Sequence, residues 1–259
     1  MKLRKVFSSI TLAVGIGLII YATVNIIRIN IPLLRGMKAY SASISPAAAE
    51  TNRDRWAEVN PDIVGWLTVE GTGIDFPVLQ DKALREDFLE NGRYTFERPE
   101  DDAEYLKLLF KYLYHDYKGD PSDVGSILID AVYDIDGAYA VIYGHNAHSA
   151  GVLFSDLKNF EDETFFKQHQ TAVFYTETKT ENLELIMVSE VSAYSSAVYG
   201  WNGLREGTFD TDAMVQQLSE NRIFGEAKEY DRYVLLSTCY ESADDDARLV
   251  LLYGVGKIE

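Results

Sequence analysis

Hydrophobic and polar positions fall into three successive patterns along the chain. Residues 6–27 form an uncharged run of 22 residues rich in Ile, Leu, Val and Ala, about the length of an apolar helix that crosses a bilayer. Residues 45–56 then read as a helix, with Ser45 at the N-cap and Pro46 in the first turn, until Asn60-Pro61-Asp62 stops it. Beyond that point the apolar residues gather into eight short runs: 63–69, 74–79, 126–130, 138–143, 172–176, 183–194, 232–239 and 248–255. Turn formers separate them, for example Gly71 and Gly73, or Asp134 to Gly137. Eight such runs predict a closed or nearly closed β-barrel. Two helices are inserted, at 155–168 and at 210–222, the second capped by Asp210 with Met214, Val215 and Leu218 as its apolar face. Segment 81–118 is the least regular: polar and acidic stretches surround an apolar and aromatic core at 105–114, which reads as helical.

Charge sharpens this division. Residues 1–38 hold six of the 24 Lys and Arg and no acid, which leaves 18 bases against 41 acids, a net −23, for residues 39–259. A domain so acidic repels nucleic acid and stays soluble. The apolar run is followed by Arg28, Ile29, Asn30 and Ile31 rather than by a small-residue cleavage site, so it reads as a retained single-pass signal anchor and not as a removed leader. Three basic residues precede it and Arg28, Arg35 and Lys38 follow, so the flanking charges nearly balance; we read the C-terminal domain as extracellular and the protein as resident in the cell membrane. The expected organisation is a tip and anchor over 1–38, a helical linker over 39–60 and a barrel domain over 61–259. Apolar content of 47% and only six Pro fit a well-filled interior.

The chain has one cysteine, Cys239, so no intrachain disulfide forms. An unpaired thiol outside the cell needs a reason. Cys239 ends the apolar run 232–239, a buried strand that delivers the thiol to the barrel rim. A second run, 138–143, leads into Gly144-His145-Asn146, where glycine is expected to let the backbone turn sharply and expose the imidazole. A third begins at Arg248 and is joined to the cysteine run by only residues 240–247, so hairpin pairing brings Arg248 near Cys239. A thiol attacks as its thiolate, a form that neighbouring His or Arg cations stabilise. Arginine stays charged and offers several donors to a developing oxyanion, and histidine suits proton transfer to a leaving amine.

Gly144-His145-Asn146, Ser237-Thr238-Cys239 and Ala247-Arg248-Leu249-Val250, in this order on separate strands, resemble the three signature motifs of sortases. Asn60 to Leu67 and Ile74 to Gln80 resemble the opening strands of class B in particular. The resemblance runs from about residue 50 to the C-terminus. It implies a mainly β fold, a sortase-like eight-stranded barrel with inserted helices and an N-terminal helical extension. It also implies a cysteine transpeptidase that cleaves a C-terminal sorting signal after its threonine and passes the acyl group to an amine. The partners implied are surface proteins or pilins bearing that signal, with the amine of a peptidoglycan precursor or a pilin lysine as acceptor, and no metal or other cofactor. Matching residue by residue makes His145, Cys239 and Arg248 the catalytic set, with Ser237 and Thr238 beside them and the Tyr240 backbone N–H as an oxyanion donor. Tyr194, with Tyr199 and Trp201, is read either as the lining of a peptide groove or as packing at the barrel edge.

The chain also departs from the family pattern. The stretch between Gln80 and Gly125 is longer than expected, and either Arg85 or Asp102 stands where the family has an asparagine. The acidic stretch 241–246 is a solvated loop, an opponent of thiolate formation or an attractor for a cationic acceptor. His145 and His148 have a His-x-x-His spacing, but no third ligand lies near in sequence. Two other readings compete with the first. L,D-transpeptidases need a glycine directly before the cysteine, and other extracellular cysteine peptidases place Cys ahead of His on a helix. A non-catalytic surface binding module would leave the Cys239 thiol no more reactive than free cysteine.

Overall fold

The apolar runs form strands that close on themselves. A computed structural model describes residues 19–21, 23–24, 53–147, 152–239 and 246–257. Its strands are β1 (Ile63–Val69), β2 (Asp75–Leu79), β3 (Ile127–Ile129), β4 (Tyr139–Tyr143), β5 (Asn146–Ala147), β6 (Val152–Leu153), β7 (Thr171–Thr176), β8 (Thr180–Ser192), β9 (Arg222–Gly225), β10 (Tyr230–Cys239) and β11 (Ala247–Lys257). The main sheet runs β11-β10-β4-β3-β2-β1-β7-β8-β9, and β11 also pairs with β8. That second pairing closes eight strands into a ring and leaves β9 outside it, on β8. The expected eight-stranded barrel is therefore present, with a ninth, four-residue strand that the apolar pattern did not reveal. Closure joins the ring's first and last strands and leaves the short β9 as the edge strand of the sheet. Trp66, Leu67, Ile127, Phe174, Leu235 and Leu251 are fully buried in one hydrophobic cluster; neighbours such as Trp66 and Leu67 point to opposite faces, so the barrel wall is covered on both sides there.

Helices occupy the connections: α1 (Trp56–Val59), α2 (Lys82–Asn91), α3 (Asp102–Leu109), α4 (Glu163–Gln168), α5 (Ser196–Tyr199), α6 (Trp201–Glu206) and α7 (Thr211–Glu220). Segment 81–118 holds two of them. Asp81 caps α2 by accepting from the Leu84 N–H, and Gly92 ends it in the left-handed region at φ 67°. Asp101 caps α3, and a 3₁₀ turn, Lys111–Leu113, follows. The helix expected over 155–168 is two pieces, a 3₁₀ helix at Phe154–Glu161 and α4, because the Asp162 side chain accepts from the Phe165 N–H and starts a new helix there. The one expected over 210–222 is α7, capped by Asp210 and buried at Met214 and Leu218; Arg222 already belongs to β9. The strand expected to reach Tyr194 stops at Ser192.

Trp56 of α1 is 2% exposed and packs on Trp66, with ring centroids 6.5 Å apart. The short helix that precedes the barrel is thus part of its core. Most of the expected anchor and all of 39–52 lie outside the described residues. Residues 19–21 and 23–24 are helical, and among the described residues no helix is long and apolar enough to cross a membrane.

Candidate active site

Three neighbouring strands end at one rim of the barrel. β4 and β10 run parallel with Tyr143 opposite Ser237, and β10 and β11 run antiparallel with Cys239 opposite Arg248. Residues directly opposite share a face, and side chains alternate with a period of two. Cys239 and Arg248 therefore emerge on the face that carries Ser237, and His145, two residues beyond Tyr143, reaches the same rim. His145, Cys239 and Arg248 all line one cavity of about 340 Å³.

The glycine before His145 has a different reason from the one expected. Gly144 is not among the residues with positive φ. A Cβ there would lie 2.8 Å from both Ile127 Cγ2 and Phe154 Cδ2, so the site has no room for a side chain. The Gly144 N–H donates to the Ser237 carbonyl at 3.2 Å, and the Thr238 hydroxyl donates to the Gly144 carbonyl at 2.8 Å. Thr238 borders the cavity, but its hydroxyl hydrogen is committed to tying β10 to β4. Asn146 Nδ2 donates to the Cys239 carbonyl at 3.3 Å, a further clasp across the same two chain ends.

His145 is half buried rather than exposed. Its Nε2 lies 2.9 Å from the Leu113 carbonyl, and the Tyr114 ring meets the imidazole edge-on, centroids 6.2 Å apart. Burial pulls its pKa below the ordinary histidine value, and the hydrogen bond to Leu113 offsets part of that. Arg248 Nη1 donates to the Ala247 carbonyl at 2.8 Å. Ser237 is buried, with its hydroxyl 2.9 Å from the Tyr199 hydroxyl. Burial pushes the Tyr199 phenol up to about 12, against the lowering effects of the Ser237 contact and Arg248, so it stays protonated at neutral pH.

Two walls come from the connections. The β2–β3 insertion supplies Leu106, Phe110, Leu113 and Tyr114, and the β8–β9 connection supplies Tyr194, Tyr199 and Trp201. Phe110 meets Tyr143 edge-on at 5.5 Å. Tyr143, Tyr199 and Trp201 form a stacked ladder with centroids 5.9 and 5.3 Å apart. Tyr194 stands at the mouth, 74% exposed. The insertion's role in the cavity was missed in the sequence; its only signal was the apolar cluster at 105–114. Arg85, one of the two positions compared with a family asparagine, lies elsewhere: Nη1 donates to the Ala131 and Val132 carbonyls at 3.0 and 3.2 Å. Asp102, the other, opens α3. Tyr240, His148 and 241–245 of the acidic stretch lie outside the described residues.

This arrangement brings a thiol, an imidazole and a guanidinium to one cavity with largely apolar and aromatic walls. No family model matches the chain. Its sequence is 27% identical over 202 residues to Sortase B of Listeria monocytogenes, across 76% of this chain and 70% of that protein. The solved structure of sortase B from Clostridium perfringens superposes with a TM-score of 0.57 at 24% identity, over 80% of this chain and 99% of that one. A class B sortase of Streptococcus pyogenes involved in pilus biogenesis gives 0.59 at 22% identity, over 78% and 96%.

Proposed function

Because the chain is a class B sortase by sequence similarity and fold, a family of cysteine transpeptidases, we propose that it cleaves a C-terminal sorting signal after threonine through a thioacyl intermediate on Cys239. The observation that carries this reading is the strand register: β4, β10 and β11 end together, so imidazole, thiol and guanidinium meet in one cavity. His145, its pKa lowered by burial, starts uncharged at neutral pH. It takes the thiol proton as Sγ attacks the threonine carbonyl and gives it to the departing amine as the C–N bond breaks. Arg248 donates to the carbonyl oxygen while it carries negative charge. An incoming amine then attacks the thioester, forms a new amide and returns the proton and the thiol to their starting state. The amine of a peptidoglycan precursor or a pilin lysine is the acceptor, and the apolar N-terminal run holds the enzyme at the membrane with its barrel outside the cell.

Intact-protein mass spectrometry with sorting-signal peptides tests the assignment. Without amine, a peptide adduct on Cys239 should accumulate or slowly hydrolyse; with amine, it should convert to a new amide in proportion to amine concentration. Cys239→Ala should form no adduct, and His145→Ala should acylate far more slowly. An adduct on another residue, or amide formation that survives in Cys239→Ala, would refute the mechanism.

A further inference from the structure

A carbonyl oxygen only accepts hydrogen bonds, so the 2.9 Å contact between His145 Nε2 and the Leu113 carbonyl requires the proton on Nε2. Nδ1 then holds the lone pair. The turn that presents this carbonyl is anchored on several sides. The Tyr112 hydroxyl donates to Asp62 Oδ2 at 2.6 Å, the Ser126 N–H to the Tyr112 carbonyl at 2.7 Å, and the Ser126 hydroxyl to the His115 carbonyl at 2.9 Å. Directly against the turn lies Gly125, at φ 69°. A Cβ there would sit 2.2 Å from the Leu113 oxygen and 2.7 Å from its carbonyl carbon. The obstacle is backbone and not the end of a flexible side chain, so the carbonyl itself would have to move.

We propose that Gly125 is a positioning residue for His145: its missing side chain lets the Leu113 carbonyl hold the imidazole as the Nε2–H tautomer and leaves Nδ1 to exchange the proton with thiol and amine. The inference rests on the reading of His145 as acid/base. It also gives the long β2–β3 insertion a part in the chemistry beyond forming a wall.

The test uses the full-length chain with ¹⁵N-labelled histidine, the His145 signals being assigned by their loss in His145→Gln. Wild type should show the Nε2–H tautomer. Gly125→Ala should lose that preference and lower kcat for peptide transfer about 100-fold with KM little changed, the scale of a misplacement near 1 Å. Gly119→Ala is the matched comparison. Gly119 also has positive φ, 92°, but a Cβ there meets Asn60 Nδ2 at 3.9 Å and nothing nearer. It bears the backbone strain without touching Leu113 and should keep both tautomer and kcat. If Gly125→Ala fails to fold by near-UV circular dichroism, Tyr112→Phe takes its place. That change cuts the Asp62 tether of the same turn and should weaken the tautomer preference and lower kcat about 10-fold. An Nδ1–H tautomer in wild type would overturn the proposal, as would unchanged spectrum and turnover in the folded variant or equal losses in Gly119→Ala. The tautomer is read without substrate, so an inert wild type would count against the transpeptidase reading and leave the test of Gly125 standing.

Discussion

Arg248 faces Cys239 across one antiparallel pair, where a planar guanidinium can grip a peptide oxygen with two donors and an ammonium cannot. Arg248→Lys should fold normally yet lose about 2.7–4 kcal/mol of transition-state stabilisation, the scale of removing an oxyanion donor; kcat/KM measured on a sorting peptide checks this. His145 sets a pH dependence whose sign follows from its environment. Burial depresses its pKa below 6.5, so the folded protein favours the uncharged ring. Its contribution to stability is present above 6.5 and is lost as pH falls through the lower folded value. Acylation needs the same uncharged ring, so kcat/KM should hold at neutral pH and decline on the acid side with a midpoint below 6.5; a midpoint above it would remove His145 as the base. These three residues were legible because motif and strand end coincide. Gly144 was placed correctly but for the wrong reason, since crowding by Ile127 and Phe154 is a tertiary fact that no local pattern encodes.

Elements were legible where one face is buried and obscure where little is. β1 was read at its observed bounds because it is a largely buried run, only Val64 and Thr68 being partly exposed, between flanks of turn formers. α2 escaped because Phe88 is its one buried residue among ten, too few for a helical period to appear. α3 is similarly sparse, yet with the turn after it lines the cavity through Leu106, Phe110 and Leu113. Phe110 meets Tyr143 edge-on and forms part of the cavity wall, so it should act on binding. Phe110→Ala is expected to raise KM for the peptide about 10-fold, some 1.4 kcal/mol, with kcat nearly unchanged. A fall in kcat with constant KM would mean that this wall positions the catalytic groups instead of holding substrate.

At the scale of the whole molecule, the closed barrel decides where the chain can be cut. The ring begins at Ile63 and ends at Lys257, and the proposed catalytic groups of the cavity lie beyond residue 140, so no strand of the ring and no proposed catalytic group comes from the basic, apolar segment 1–38. The segment just before the ring is not. Trp56 is 2% exposed against Trp66, and the Arg53 guanidinium sits over the Tyr175 ring at 5.6 Å while it donates to the Thr180 hydroxyl. A protein starting at Tyr40 should keep wild-type melting and turnover in solution and, on the proposed anchoring role of 1–38, no longer sediment with membranes. One starting at Pro61 would strip a buried tryptophan from the core, a loss of about 3–5 kcal/mol, which for a domain of this size lowers Tm by the order of 10 °C. Scanning calorimetry and peptide transfer on the two truncations separate anchor from core. Equal stability in both would make residues 53–60 a linker, as the sequence alone suggested, and loss of turnover in the longer one would give the anchor a part in the chemistry.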